Sequence, residues 1–350
     1  MTHRERYLSA IRFEGTDFPA LEYYYTDVGY AEHGARLLAL YRRFPGDASP
    51  APSDSPRDLP RPDPADVDER GDYRRVDTDE WGTRWEYRIF GRIGHATRFP
   101  LADIGRLDCY RLPPMPLDNQ FNLSRLRERV SDNGGYPVGH GVPGLLERMI
   151  ALRPFEDVLA DIASDDPAIH ALADRLADAF AREAAAAIEA GVDFIRIGDD
   201  YGTERSLIIS PDMWRGFFMP RLERIIAPAK RAGKLCLFHS CGRIAEILPD
   251  IAAIGADSIW PQLPLYDYGY LAGALRELRL ALCIHIDRGE LMQRGTALDV
   301  RAEVDRAYRA FKPESGGAWF YYEADQGFPF RNLLALAEAI GEYRIGLPVA

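Results

Sequence analysis

The sequence predicts an α/β protein built as a (β/α)8 barrel with an excursion near its N-terminus. Three observations lead there. From about residue 136 onward, short apolar segments alternate with helical ones at the spacing of strand–helix units, which implies parallel strands. Polar residues fall at the ends of several successive apolar segments, where barrel enzymes build their sites. No glycine-rich dinucleotide fingerprint follows any of these segments, which argues against a doubly wound sheet. A chain of 350 residues exceeds one small core, yet α/β barrels often run this long, and residues 1–350 are expected to form a single domain.

Thr2-His3-Arg4-Glu5 has the form of a capping box, with Tyr7, Leu8 and Ile11 at helical spacing, so a helix is expected near 3–13. Ala20 to Tyr25 is a candidate first strand. Residues 45–64 carry seven prolines among Asp, Ser and Arg, which reads as an exposed loop. The alternating aromatic run Trp81 to Arg88 suggests a hairpin or small sheet, so residues 45–110 are expected to form an insertion beside the barrel. Strands are then expected at Tyr136–His140, Asp193–Gly198, Leu235–His239, Ser258–Pro261, Leu280–Ile286 and Ala318–Tyr322. Helices are expected at Pro167–Ala190, from Ser210 onward, and near 243–254, 298–311 and 331–342. Pro220 and Pro228 are expected to break the helix that begins at Ser210.

The formal charge of −11 argues against nucleic acid and against anionic membrane surfaces, since both need basic patches. It favours a small neutral or cationic substrate. No apolar run of about 18 residues exists, so no spanning helix is expected. The N-terminus lacks the apolar segment of a signal peptide. Four cysteines, Cys109, Cys236, Cys241 and Cys283, do not look like a disulfide framework, and a reducing cytoplasm is the expected setting. The three lysines, Lys230, Lys234 and Lys312, do not end an apolar strand, which argues against Schiff-base chemistry.

The most informative stretch is Leu235-Cys236-Leu237-Phe238-His239-Ser240-Cys241-Gly242. It reads as a buried strand ending in an imidazole and a thiol at i, i+2. Side chains alternate along a strand, so both point to one side if extension persists. Together they are two ligands for a borderline-soft ion such as zinc. The alternative is a buried core histidine beside an inert cysteine. A catalytic zinc site needs three protein ligands and an open position. Cys236 faces the other side of the strand and Cys283 lies deeper, so Glu323 is the expected third ligand. Asp199, Asp200 and His285 are candidate catalytic groups, and His140, Tyr201, Gln262 and Asp287 candidate substrate contacts. Asp199 or Asp200 has a simpler alternative, capping a turn or a helix.

Beyond these residues the chain resembles the uroporphyrinogen decarboxylase superfamily, closest to its corrinoid-dependent methyltransferase branch. The resemblance runs through most of the chain. It includes Arg4 to Glu14, Asp79-Glu80-Trp81-Gly82, Gly198-Asp199-Asp200-Tyr201-Gly202-Thr203-Glu204, Ser210-Pro211-Asp212-Met213-Trp214, His239-Ser240-Cys241-Gly242-Arg243, Gly255-Ala256-Asp257 and Pro261-Gln262. It implies a (β/α)8 barrel with a funnel-like cleft and one of two activities. The family's decarboxylases bind a tetrapyrrole through an arginine-bearing N-terminal segment. Here Phe18-Pro19-Ala20-Leu21-Glu22-Tyr23-Tyr24-Tyr25 stands in its place, so uroporphyrinogen is not the expected substrate. A carboxy-lyase acting on another substrate is the alternative, and a non-catalytic binding protein a third reading. The methyltransferases hold zinc by His-x-Cys and a later cysteine. His239 and Cys241 match the first two, whereas Trp319 to Gln326 contains no cysteine. The resemblance thus implies methyl transfer between a small-molecule methyl donor or acceptor and a cobamide such as methylcobalamin. Nothing in the chain looks like a cobalamin-binding domain, so a separate corrinoid protein would present it.

Overall fold

The computed structural model describes residues 1–53, 55 and 58–344. Its strands are β1 (Leu21–Tyr24), β2 (Arg75–Thr78), β3 (Arg84–Tyr87), β4 (His95–Arg98), β5 (Gly139–Val142), β6 (Phe194–Gly198), β7 (Leu235–Ser240), β8 (Ser258–Pro261), β9 (Ala281–His285) and β10 (Ala318–Glu323). Seven of them form one parallel sheet in the order β1-β10-β9-β8-β7-β6-β5. The sheet is strongly curled. Arg196 of β6 reaches across the interior to Glu22 of β1 at 2.6 Å, although four strands separate them in the sheet.

The expected eighth strand is not found among the described residues, and β1 and β5 remain the two edges. The physical reason lies in the chain between them. Proline cannot donate to a ladder, and the stretch after β1 is rich in it. That excursion instead builds a separate antiparallel sheet, β2-β3-β4, with three strands.

Alternation along the strands divides the molecule into two apolar layers. Ile195, Ile197, Cys236, Phe238, Ile259, Leu282 and Ile284 face the surrounding helices. Phe194, Leu235, Leu237, Cys283, Trp319 and Tyr321 face inward, where Tyr7, Leu8 and Ile11 of the first helix, His3–Ile11, plug one end. The capping box read from Thr2 and Glu5 is present and sets where that helix starts. Burying such apolar side chains stabilises by roughly 1.5–3 kcal/mol each. Tyr7 also donates to Glu22 at 2.7 Å, and the Trp319 indole does so at 3.0 Å, so the buried carboxylate facing Arg196 is fully engaged.

Several helices lie outside the expected set, although Thr26, Asn119 and Asp267 cap three of them. Asp27–His33, Ala35–Arg43, Gln120–Ser131, Leu145–Leu152, Phe155–Ala163 and Tyr268–Leu278 were not anticipated. Pro220 starts a new helix, as a first-turn proline does, whereas Pro228 lies inside Met219–Arg231 without ending it. Leu222, Ile225, Ile226 and Ala229 are buried along that helix, and this packing outweighs the lost backbone hydrogen bond. All four cysteines are free. No helix among the described residues is long and apolar enough to cross a membrane.

Candidate active site at the strand ends

The positions at the ends of β7, β8 and β9, with Asp325 after β10, converge on one cavity of about 580 Å³. His239, Cys241, Trp260, Gln262, His285 and Arg288 are among its lining residues. On the wall that His239 and Cys241 form, three ligand atoms, from Asp200, His239 and Cys241, lie within 4.8 Å of one another. His239 Nε2 is 3.5 Å from Cys241 Sγ and 3.4 Å from Asp200 Oδ1. Bonds of about 2.0–2.3 Å to a tetrahedral ion would separate ligand atoms by roughly 3.4–3.6 Å. The two separations from His239 match that spacing and the third lies within 4.8 Å, so the donor set suits a zinc-type ion with one position left open.

The surroundings fix these groups. His239 Nδ1 lies 2.8 Å from the Trp260 carbonyl, which can only accept. The neutral ring is thereby held with its proton on Nδ1 and a lone pair on Nε2, the arrangement of a metal-ligating histidine. Asp200 Oδ1 accepts the Cys241 amide at 2.8 Å. Burial opposes ionisation of Asp200, but His239 in its form with a proton on Nε2, together with that amide, outweighs it and holds the carboxyl below its usual range. Burial, then the charge of Asp200, pushes the Cys241 thiol up to about 12. A bound cation would reverse that balance, because a coordinating thiol is deprotonated. Gly242 turns the chain here at φ +79°, where a side chain would sit 2.1 Å from the Gly202 carbonyl carbon.

Trp260 links this cluster to a second one. Its indole donates to His285 Nδ1 at 3.0 Å, so the proton of neutral His285 sits on Nε2, 3.3 Å from Glu323. Burial depresses the His285 pKa. Burial likewise opposes charge on Glu323, yet His285, Arg288 and Arg92 hold that carboxyl below its ordinary range. Glu323 thus pairs with His285 and two arginines, and Asp200 takes the position beside His239 and Cys241 that was expected for Glu323. Sequence distance concealed this exchange, since Asp200 and Cys241 meet only through the β6–β7 pairing.

Other expected site residues are placed elsewhere. Asp199 is fully buried and accepts the amides of Leu145, Leu146 and Glu147 at 2.9–3.0 Å, capping the helix Leu145–Leu152. It also accepts the Tyr201 hydroxyl. Burial pushes its pKa up to about 6 against these four donors. The capping alternative therefore describes Asp199, and Tyr201 is its buried partner rather than a substrate contact. His140 lies on the outward face of β5, with Nε2 2.7 Å from Glu183 of the helix Pro167–Glu189. Gly139 is the inward-facing neighbour, since a side chain there would strike the Phe194 ring. Gln262 lines the cavity and accepts the Gly242 amide at 3.2 Å. Asp287 lines it too, but its oxygens accept the amides of Gly289 and Leu291 and shape a turn.

Sequence reasoning missed Trp260, Arg92, Arg288, Asp325 and Glu147. Trp260 had a signal, lying two residues before Gln262 on a predicted strand. Arg92 had none, since it arrives from the excursion. Glu147 is exposed overall, yet lost hydration, then the charges of Asp199 and Asp200, push its carboxyl up to about 7.

A sequence model of the uroporphyrinogen decarboxylase (URO-D) family matches residues 137–317, just over half of the 350-residue chain. The chain belongs to the uroporphyrinogen decarboxylase family. The matched segment spans β5 to β9 and so contains His239, Cys241, Asp200 and Trp260. Among solved structures, a methyltransferase from Methanosarcina mazei is similar over 98% of this chain and 99% of its own, with a TM-score of 0.68 and 17% identity. That likeness establishes the shared fold. A B12-independent methionine synthase from a Shewanella species is similar over 77% of this chain and 73% of its own, with 14% identity and a TM-score of 0.45. No curated protein matches the sequence.

Proposed function

We propose that this member of the family is a methyltransferase. It moves a methyl group between a small substrate and a cobamide presented by a separate corrinoid protein, with a zinc-type ion held by His239, Cys241 and Asp200. The observation that carries the reading is the ligand geometry at the ends of β6 and β7, with His239 Nε2 set free by the Trp260 carbonyl. The full-length likeness to a methyltransferase fold supports it. A decarboxylase role has less support, because the segment that includes β1 carries Glu22 and tyrosines where the family's decarboxylases carry arginines. A single domain over residues 1–350 and a cytoplasmic setting belong to the same reading.

Such an ion acts as a Lewis acid that lowers the pKa of a thiol or hydroxyl placed against it. The chain's own groups do the rest. Trp260 orients both histidines, His239 through its carbonyl and His285 through its indole. Asp200 stays ionised and balances positive charge beside His239. Gln262 braces the turn after Cys241. The test is to incubate the protein with cob(I)alamin and a panel of methoxyaromatics, methylamines and methylthiols, and to follow the corrinoid spectrum. Methylcobalamin is expected from at least one donor and is expected to be lost in Cys241→Ala. Decarboxylation of a carboxylated substrate with no methyl transfer would refute the reading.

A further inference from the structure

The same cavity contains two guanidinium groups that the reaction chemistry does not use. Arg92 is delivered from the turn between β3 and β4, and Arg288 from the loop after β9; both line the cavity with His239 and Cys241. Arg92 Nη1 contacts both Asp325 oxygens at 2.8 Å. Arg288 Nη1 is 3.5 Å from Glu323 and 3.9 Å from Asp325. A guanidinium carries five N–H donors. Nε and Nη2 of both arginines have no protein partner among the described residues, and the side chains are 38% and 41% exposed. The nearby acids are already engaged. Asp325 is held by Arg92 and the Gln326 amide, Asp287 by two backbone amides, and Glu290 by Arg294.

We propose that the substrate of this site carries a carboxylate, which docks on the free edges of Arg288 and Arg92. Its methylated or methyl-accepting heteroatom then lies toward His239 and Cys241. This rests on reading the site as a methyl-transfer site. A guanidinium edge matches the two oxygens of a carboxylate, which adds direction to charge. Arg288 is the stronger anchor because its protein contacts are longer. The net charge of the chain pointed to a neutral or cationic substrate, but a local pocket need not follow the whole molecule's field. Glu204, Asp287, Glu290 and Asp325 also line the cavity, and of these Glu204 alone has no hydrogen-bond or ion-pair partner among the described residues, so an anion is expected to seat on the guanidinium edges away from it.

The test is isothermal titration calorimetry on the metal-free, cobamide-free protein, comparing 3-methoxybenzoate with its uncharged amide, 3-methoxybenzamide. The carboxylate is expected to bind at least about tenfold more tightly. The preference is expected to shrink to within about twofold in Arg288→Gln, to recover in part in Arg288→Lys, and to weaken with added salt. Thermal melting of each variant checks that the fold is retained. Equal affinity for the two probes, tighter binding of the amide, binding of neither, or a preference unchanged in Arg288→Gln would overturn the proposal. Because neither metal nor cobamide is needed, failure here leaves methyl transfer standing, and failure of methyl transfer leaves the carboxylate preference standing.

Discussion

Asp199 accepts three backbone amides of one helix, while its neighbour Asp200 turns toward His239 and Cys241. Substitution separates the two roles. Asp199→Asn removes an anion from the first turn of Leu145–Leu152, where capping and dipole effects each contribute about 1 kcal/mol. It is expected to lower stability in urea by about 1–3 kcal/mol with metal uptake retained. Asp200→Asn is expected to leave the urea midpoint nearly unchanged and to abolish stoichiometric metal. The reverse pattern would show that the two aspartates had been assigned wrongly. His239 and Cys241 were legible as a pair because strand alternation is a local property. Their third partner was not. Asp200 sits next to the cluster only because β6 and β7 pair in register, a long-range contact invisible to local spacing. His140 shows the converse error: a strand end was recognised, but the register put the imidazole on the helix side.

At the scale of elements, the first helix closes one end of the curled sheet and delivers Tyr7 to Glu22 beneath the cavity. Tyr7→Phe keeps the ring and removes one of the donors to a buried carboxylate. Arg196 and Trp319 still engage Glu22, so a loss of about 1–2 kcal/mol is expected in chemical denaturation, with metal uptake at His239 and Cys241 expected to be unchanged. A neutral result would mean that this hydroxyl does not help hold Glu22. The helix itself was legible, since its capping box and apolar spacing lie within a dozen residues. The helices Leu145–Leu152 and Phe155–Ala163 are short and depend on tertiary partners. The cap of the first is Asp199, 54 residues from Leu145 in the chain. The excursion was recognised by its prolines and alternating aromatics, whereas its third strand and the reach of Arg92 to Asp325 were not.

Across the whole molecule, Asp47 joins distant parts of the chain. Its fully buried carboxylate meets Arg6 at 2.6 Å, Arg344 at 2.7 Å and the Leu21 amide at 3.0 Å. His3 lies 2.9 Å away. Burial alone would raise the Asp47 pKa, but His3, Arg344 and Arg6 more than offset it and hold it below the ordinary range. A depressed folded-state pKa gives stability that is present above the unfolded value and lost as pH falls through the folded one. Stability from this group is therefore expected to persist above about pH 4 and to decline below it. Asp47→Asn is expected to cost about 3–5 kcal/mol at neutral pH and to flatten that acid limb, as measured by urea unfolding across pH. An unchanged acid limb would remove Asp47 from this role. The central claim concerns the other end of the sheet, and zinc K-edge X-ray absorption of the purified protein tests it most directly. The expected spectrum shows stoichiometric metal with one sulfur at about 2.3 Å and nitrogen or oxygen at about 2.0–2.2 Å, with the sulfur lost in Cys241→Ala. Protein that takes up no metal, or metal with no sulfur neighbour, would contradict it.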